Sequence, residues 1–121
     1  MIGKDLLSHL IDNNYNFTEE DIIFIAKNAN GRIMWLEKGN ETAGLTHIIS
    51  RHCDDFKRAF GLNEEQIPKF LYDVVIKGSI VKEIISKNGT GIDIIYDYQG
   101  KYFTFVGAGS NGFIVTAFPT G

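Results

Sequence analysis

The period of the apolar positions changes near Gly78 of this 121-residue chain. Met1 to Asn14 carries Leu6, Leu7, Leu10 and Ile11 at helical spacing. Glu19 to Asn28 reads as a second short helix, with Thr18 as N-cap, Asp21 three residues on, and Ile22, Ile23, Ile25 and Ala26 following. Arg32 to Leu36, bounded by Gly31 and Gly39, reads as a single strand. From Gly44 the pattern is helical to Phe60, where Gly61 supplies the stop. Asn63 caps a further helix that ends at Gly78, with Pro68 in its second turn. After Gly78 the period is two. Ile80 to Ser86, Ile92 to Tyr98, Lys101 to Val106 and Phe113 to Phe118 are β-rich, joined by Asn88-Gly89-Thr90-Gly91, Gln99-Gly100 and Gly107 to Gly112. Such connections predict an antiparallel meander. Helices over about residues 1–78 followed by a four- to five-stranded sheet over about 79–119 define an α+β class, with the helices on one sheet face and the other free to bind.

Composition narrows the picture. The length allows one domain, 1–121, and 44% hydrophobic content suits a buried core. Cys53 is the only cysteine, so no internal disulfide staples the fold. No apolar run reaches the ~18 to 20 residues of a membrane span, and Met1 to Asp12 lacks the basic start and long apolar stretch of a secretory signal. A formal charge of −3 argues against a protein that coats nucleic acid non-specifically, while a local basic patch stays compatible with it.

Candidate chemistry concentrates on the helix that opens GLTHIISRH. At 100° per residue His47, Arg51 and Arg58 share one arc with Asp54 close by, and Ile48, Ile49, Phe56, Ala59 and Phe60 lie opposite. His47 is therefore either a general base or acid beside a phosphate-clamping Arg51, or a stray histidine on a solvated face. His52 falls in the apolar arc between Ile48 and Phe56. That position suits a boundary residue holding a carbonyl, with a catalytic role at the pocket rim as the alternative. The five-residue offset puts the histidines about 140° apart, unlike a metal-binding i, i+4 pair, and no zinc site is expected. Gly107 to Gly112 joins strand to strand, so it reads as a hairpin loop from which Ser110 and Asn111 could touch a substrate, and not as a phosphate loop feeding a helix. Thr116 shares a strand face with Ile114 and Phe118. Tyr102 and Thr104 share another, with Lys101 turned away from them.

The order of these motifs resembles a known nuclease group. GLTHIISRH on a helix, a second helix ending in IKGSI, then IIYDYQGKYFTFV and finally GFIVTAFP, over roughly Gly31 to Pro119, is similar to the group named after barnase, EndoU, colicin ribonucleases and RelE, in its bacterial polymorphic-toxin and phage-encoded branches. The resemblance implies helices packed on a twisted antiparallel sheet, with the site on the exposed sheet face. It implies a metal-independent ribonuclease toxin needing no cofactor, with tRNA as substrate. Carried onto this chain, it makes His47, Arg51, His52 and Thr116 the catalytic set, and Lys101 a further phosphate contact; Tyr102, Ser110 and Asn111 complete the expected substrate contacts. It also implies a cognate immunity protein, in some cases a translation factor of the target cell, and export as the C-terminal part of a larger effector that acts in a competitor's cytoplasm. The competing expectation is a non-catalytic, cytoplasmic binding domain, such as an immunity or phage accessory protein, to which the acidic balance is suited.

Overall fold

A computed structural model describes residues 4–13, 17–85, 91–108 and 112–120. The elements run α1 (Lys4–Asp12), β1 (Ile22–Lys27), β2 (Ile33–Glu37), α2 (Leu45–Phe60), α3 (Ile67–Lys77), β3 (Ser79–Ile85), β4 (Gly91–Tyr98), β5 (Lys101–Ala108) and β6 (Phe113–Thr120). The class is α+β, as the sequence predicts, but the sheet has six strands in the order β1-β2-β6-β5-β4-β3 and is mixed. β2 runs parallel to β6 with Trp35 opposite Phe113, and the other neighbouring strands pair antiparallel.

The main correction is β1. The predicted helix Glu19–Asn28 is a single 3₁₀ turn, Glu19–Asp21, leading into a strand. Ile22, Phe24, Ile25 and Ala26 are all buried, because this strand is covered on both faces and so shows no alternation. Asn28 turns the chain into β2: its side-chain oxygen accepts from the N–H groups of Asn30 and Arg32, and Gly31 takes φ 82°. A second correction follows from α1. Leu10 packs with Ile22, Ile25 and Trp35, with Leu6, Leu7 and Phe113 around them, whereas Phe24, Ala26, Met34 and Leu36 face the other way into the main core. Helices therefore cover both faces of the sheet at the β1–β2 end.

The main core lies between the sheet and the pair α2 and α3. Phe60 stacks on Phe103 at 5.3 Å between centroids, and Phe70 meets Phe56, Tyr98 and Phe103 edge-on. α3 begins after a 3₁₀ turn capped reciprocally by Asn63 and Gln66, with Pro68 accommodated in its first turn. The sheet curls around this core until its two ends meet. Asn28 Nδ2 donates to the Tyr96 hydroxyl at 3.1 Å, and Asn30 Nδ2 donates to Glu83 Oε1 at 3.3 Å. Between β4 and β5, Gln99 (φ 55°) and Gly100 (φ 80°) form the predicted two-residue turn. The predicted turn Asn88-Gly89-Thr90 lies outside the described residues, as do residues 109–111 of the Gly107–Gly112 loop.

Candidate functional site

The loop from Glu37 to Gly44 is built to present one carbonyl to one histidine. Gly39 and Gly44 have φ 65° and 89°, and a Cβ on Gly44 would stand 2.8 Å from the Glu37 carbonyl oxygen. The Asn40 side-chain oxygen accepts from the Thr42 and Ala43 N–H groups, at 2.9 and 3.2 Å, which folds the loop back on itself. Thr46 donates both its N–H and its hydroxyl to the Lys38 carbonyl, and Gly44 N–H donates to the Val115 carbonyl of β6. So the first turn of α2 is tied to the edge of β6, just beyond the point where β2 pairs with that strand. In this arrangement the Glu41 carbonyl lies 2.7 Å from His47 Nδ1. A carbonyl only accepts, so Nδ1 carries the proton and the neutral ring presents the lone pair of Nε2.

His52 is oriented differently. Its Nδ1 donates to Asp55 Oδ2 at 3.0 Å, the other Asp55 oxygen accepts from Arg58 Nη2 at 2.6 Å, and its ring stacks on Phe118 of β6 with centroids 5.0 Å apart and planes at 30°. The hydrogen bond from His52, reinforced by Arg58 against an opposing desolvation effect, holds the Asp55 carboxyl below its ordinary value of 3.8. The two imidazole rings lie 6.5 Å apart, nearly perpendicular at 81°, despite their offset around the helix. Asp55, the partner of His52, lines an open recess of about 360 Å³ with Arg58, Ala59 and Pro119.

The remaining predicted residues are placed less uniformly. Arg51 is exposed one helical turn beyond His47 and has no hydrogen-bond or ion-pair partner among the described residues. The Thr116 hydroxyl is buried and without a partner among them, so a substrate oxygen reaches it only after the side chain rotates. Thr116 and Phe118 alternate with the core residue Ala117, and cross-strand pairing puts Phe118 opposite Thr104 and Thr120 opposite Tyr102. The face of β5 and β6 that carries Tyr102 therefore begins where His52 meets Phe118. Tyr102 is half exposed, and Lys101, also exposed, points to the other face by alternation. Ser110 and Asn111 lie outside the described residues.

Sequence reasoning missed Asp55, Phe118 and the Glu41 carbonyl. Asp55 follows His52 by three residues, a spacing at which side chains on a helix meet, so that pair was legible. The role of His52 is also specific: it bonds a carboxylate, and the carbonyl-holding task falls to His47. No group of three or more His, Cys, Asp or Glu side chains stands in metal-binding arrangement among the described residues, and none of their helices is long and apolar enough to cross a membrane. No protein-family model matches the sequence, and no curated protein matches it either.

Proposed function

We propose that this domain is an endoribonuclease that works without a metal, cleaving RNA, with tRNA the expected substrate, by attack of a ribose 2′-OH on the adjacent phosphorus. The observation that carries this reading is the histidine pair: two ring centroids 6.5 Å apart, each ring with Nδ1 engaged and no partner at Nε2 among the described residues. Transesterification at phosphorus needs one group to take the 2′-OH proton and another to give a proton to the departing 5′-oxygen, each within about 3 Å of its oxygen. His47, as the neutral ring, takes the first role, and His52, as the imidazolium with its second proton on Nε2, takes the second. The 2′-oxygen bonds to phosphorus as the P–O5′ bond breaks, leaving a 2′,3′-cyclic phosphate and a 5′-OH end. Arg51 neutralises charge on the non-bridging oxygens. Thr116, once its side chain has rotated out of its buried position, donates a hydrogen bond to one of them, an interaction whose loss in comparable sites costs roughly 2.7 to 4 kcal/mol of barrier. In the toxin setting the chain's partner is an immunity protein that covers this site; a translation factor of the target cell is a second possible requirement.

The test is to incubate wild type and His47→Ala with total bacterial RNA in excess EDTA and map the ends of any fragments. Discrete fragments ending in 2′,3′-cyclic phosphate, reduced roughly 10²- to 10⁴-fold in the variant, are expected. Intact RNA from folded wild type, also after bacterial extract is added, refutes the reading.

The second reading is a non-catalytic binding domain. What favours it is β3, an edge strand with Val81, Ile84 and Ile85 exposed, on a chain of net charge −3. Free expression of the wild-type chain in bacteria, without an inhibitor and without loss of RNA, supports that reading over the nuclease.

A further inference from the structure

The two histidines are held by chemically different partners, and the difference assigns a role to a residue outside the pair. His47 leans on a peptide carbonyl supplied by a loop. His52 leans on Asp55, whose second oxygen is already occupied by Arg58, so the carboxylate cannot swing away without giving up both bonds. Phe118 fixes the plane of the His52 ring from below. An imidazole constrained by a hydrogen bond at Nδ1 and by a stack on its face has little freedom left to point Nε2 elsewhere.

We propose that Asp55 is the positioning residue for His52, accepting from its Nδ1–H so that Nε2, which carries the second proton when the ring acts as acid, is directed to the leaving oxygen, and that Arg58 in turn holds Asp55. This rests on the ribonuclease reading for its consequence in catalysis, but not for its consequence in the free protein. A free histidine side chain prefers the Nε2–H tautomer, so the opposite tautomer at one named ring reports the Asp55 bond directly. Asp55 touches no reacting atom and works only through His52.

Two measurements test this, one independent of activity. In ¹⁵N NMR of the folded protein above the titration range of its histidines, His52 is expected in the Nδ1–H form in wild type and to lose it in Asp55→Ala. His47 is expected to keep that form in both, since its partner is the Glu41 carbonyl. In single-turnover cleavage, Asp55→Ala is expected to lower the rate constant about 10²-fold through misplacement of the ring, with substrate affinity little changed. In a His52→Ala background the same substitution is expected to add nothing. An Nε2–H ring in wild type, or an unchanged tautomer in Asp55→Ala, overturns the proposal whether or not RNA is cut. So does an undiminished second loss in the His52→Ala background. Absence of cleavage by wild type, with the tautomer switching as expected, removes the ribonuclease reading and leaves the positioning role of Asp55 standing.

Discussion

The two ends of the curled sheet are finished in opposite ways. At the β1–β2 end, helices lie on both faces, and Trp35, Leu36, Ile25 and Phe24 are sealed from solvent. At the β3 end the strand is an edge, and Val81, Ile84 and Ile85 remain exposed at 55, 42 and 68%. The histidines belong to neither end. They sit on α2 where it is tied to β6, at the border between the sealed part of the sheet and the face that carries Tyr102. The contrast teaches that rigidity and accessibility are supplied by different strands of one sheet, and that the site draws on both.

The largest effect is expected from Trp35→Ala. The indole fills the layer between α1 and the sheet, and its N–H donates to Glu37 Oε2 at 3.0 Å. Truncation leaves a cavity, and it strips a buried carboxylate of that donor; a loss of about 3 to 5 kcal/mol in chemical denaturation is expected. Ile85→Ala at the open end should change stability by no more than about 0.5 kcal/mol. Equal losses at the two positions would erase the contrast.

Gly44→Ala tests whether the border is built by the loop. With φ at 89° and the Glu37 carbonyl oxygen 2.8 Å from where a Cβ would stand, the position has no room for a side chain without strain. A loss of about 1 to 3 kcal/mol is expected, with a disproportionate fall in cleavage, because the same loop delivers the Glu41 carbonyl to His47. Lost stability with cleavage per folded molecule unchanged would separate the loop from the site.

Tyr96 joins the two ends through its bond from Asn28, and burial pushes its hydroxyl up to about 12. The sign follows from linkage. Below about pH 10 both folded and unfolded chains keep the proton, so the stabilisation is complete; as pH rises toward 12 the unfolded chain ionises first and stability falls, by on the order of 2 kcal/mol. Denaturation from about pH 9 to 12 should show this slope in wild type and a shallower one in Tyr96→Phe. Asp55 has the opposite sign. Its lowered carboxyl contributes above its ordinary value of 3.8, and that contribution is lost as pH falls through the lower folded value.

How much of this was legible depended on whether the determinant was local. The helix Leu45–Phe60 with its Gly61 stop, and the strands after Gly78, follow from period and punctuation. β1 did not, because Ile22, Ile23, Ile25 and Ala26 satisfy a helical period as well as a buried strand. The Asn30-Gly31 pair after them is the hairpin signal that separates the two readings. Among the described residues the parallel pairing of β2 with β6 rests on one pair, Trp35 with Phe113, far apart in the chain. At the site, the sequence pointed to His47 and His52 as residue types, but not to their nearness. Nor could it show the Glu41 carbonyl, a backbone atom whose position depends on the whole loop.

The smallest expected effect concerns a turn that is legible in two residues. Gln99 adopts φ 55°, a conformation asparagine tolerates better than glutamine, and Gly100 follows it in the left-handed region at 80°. Gln99→Asn should therefore raise stability by about 0.5 kcal/mol, measurable as a small increase in Tm. The turn lies at the exposed end of β4 and β5, next to Lys101 and Tyr102, so the substitution also probes whether the open face needs slack. A stabilised turn with unchanged cleavage assigns the open face to passive substrate support. A stabilised turn with slower cleavage would mean that the β4–β5 hairpin moves when RNA binds, and that the accessible end of the sheet differs from the sealed one in motion as well as in cover.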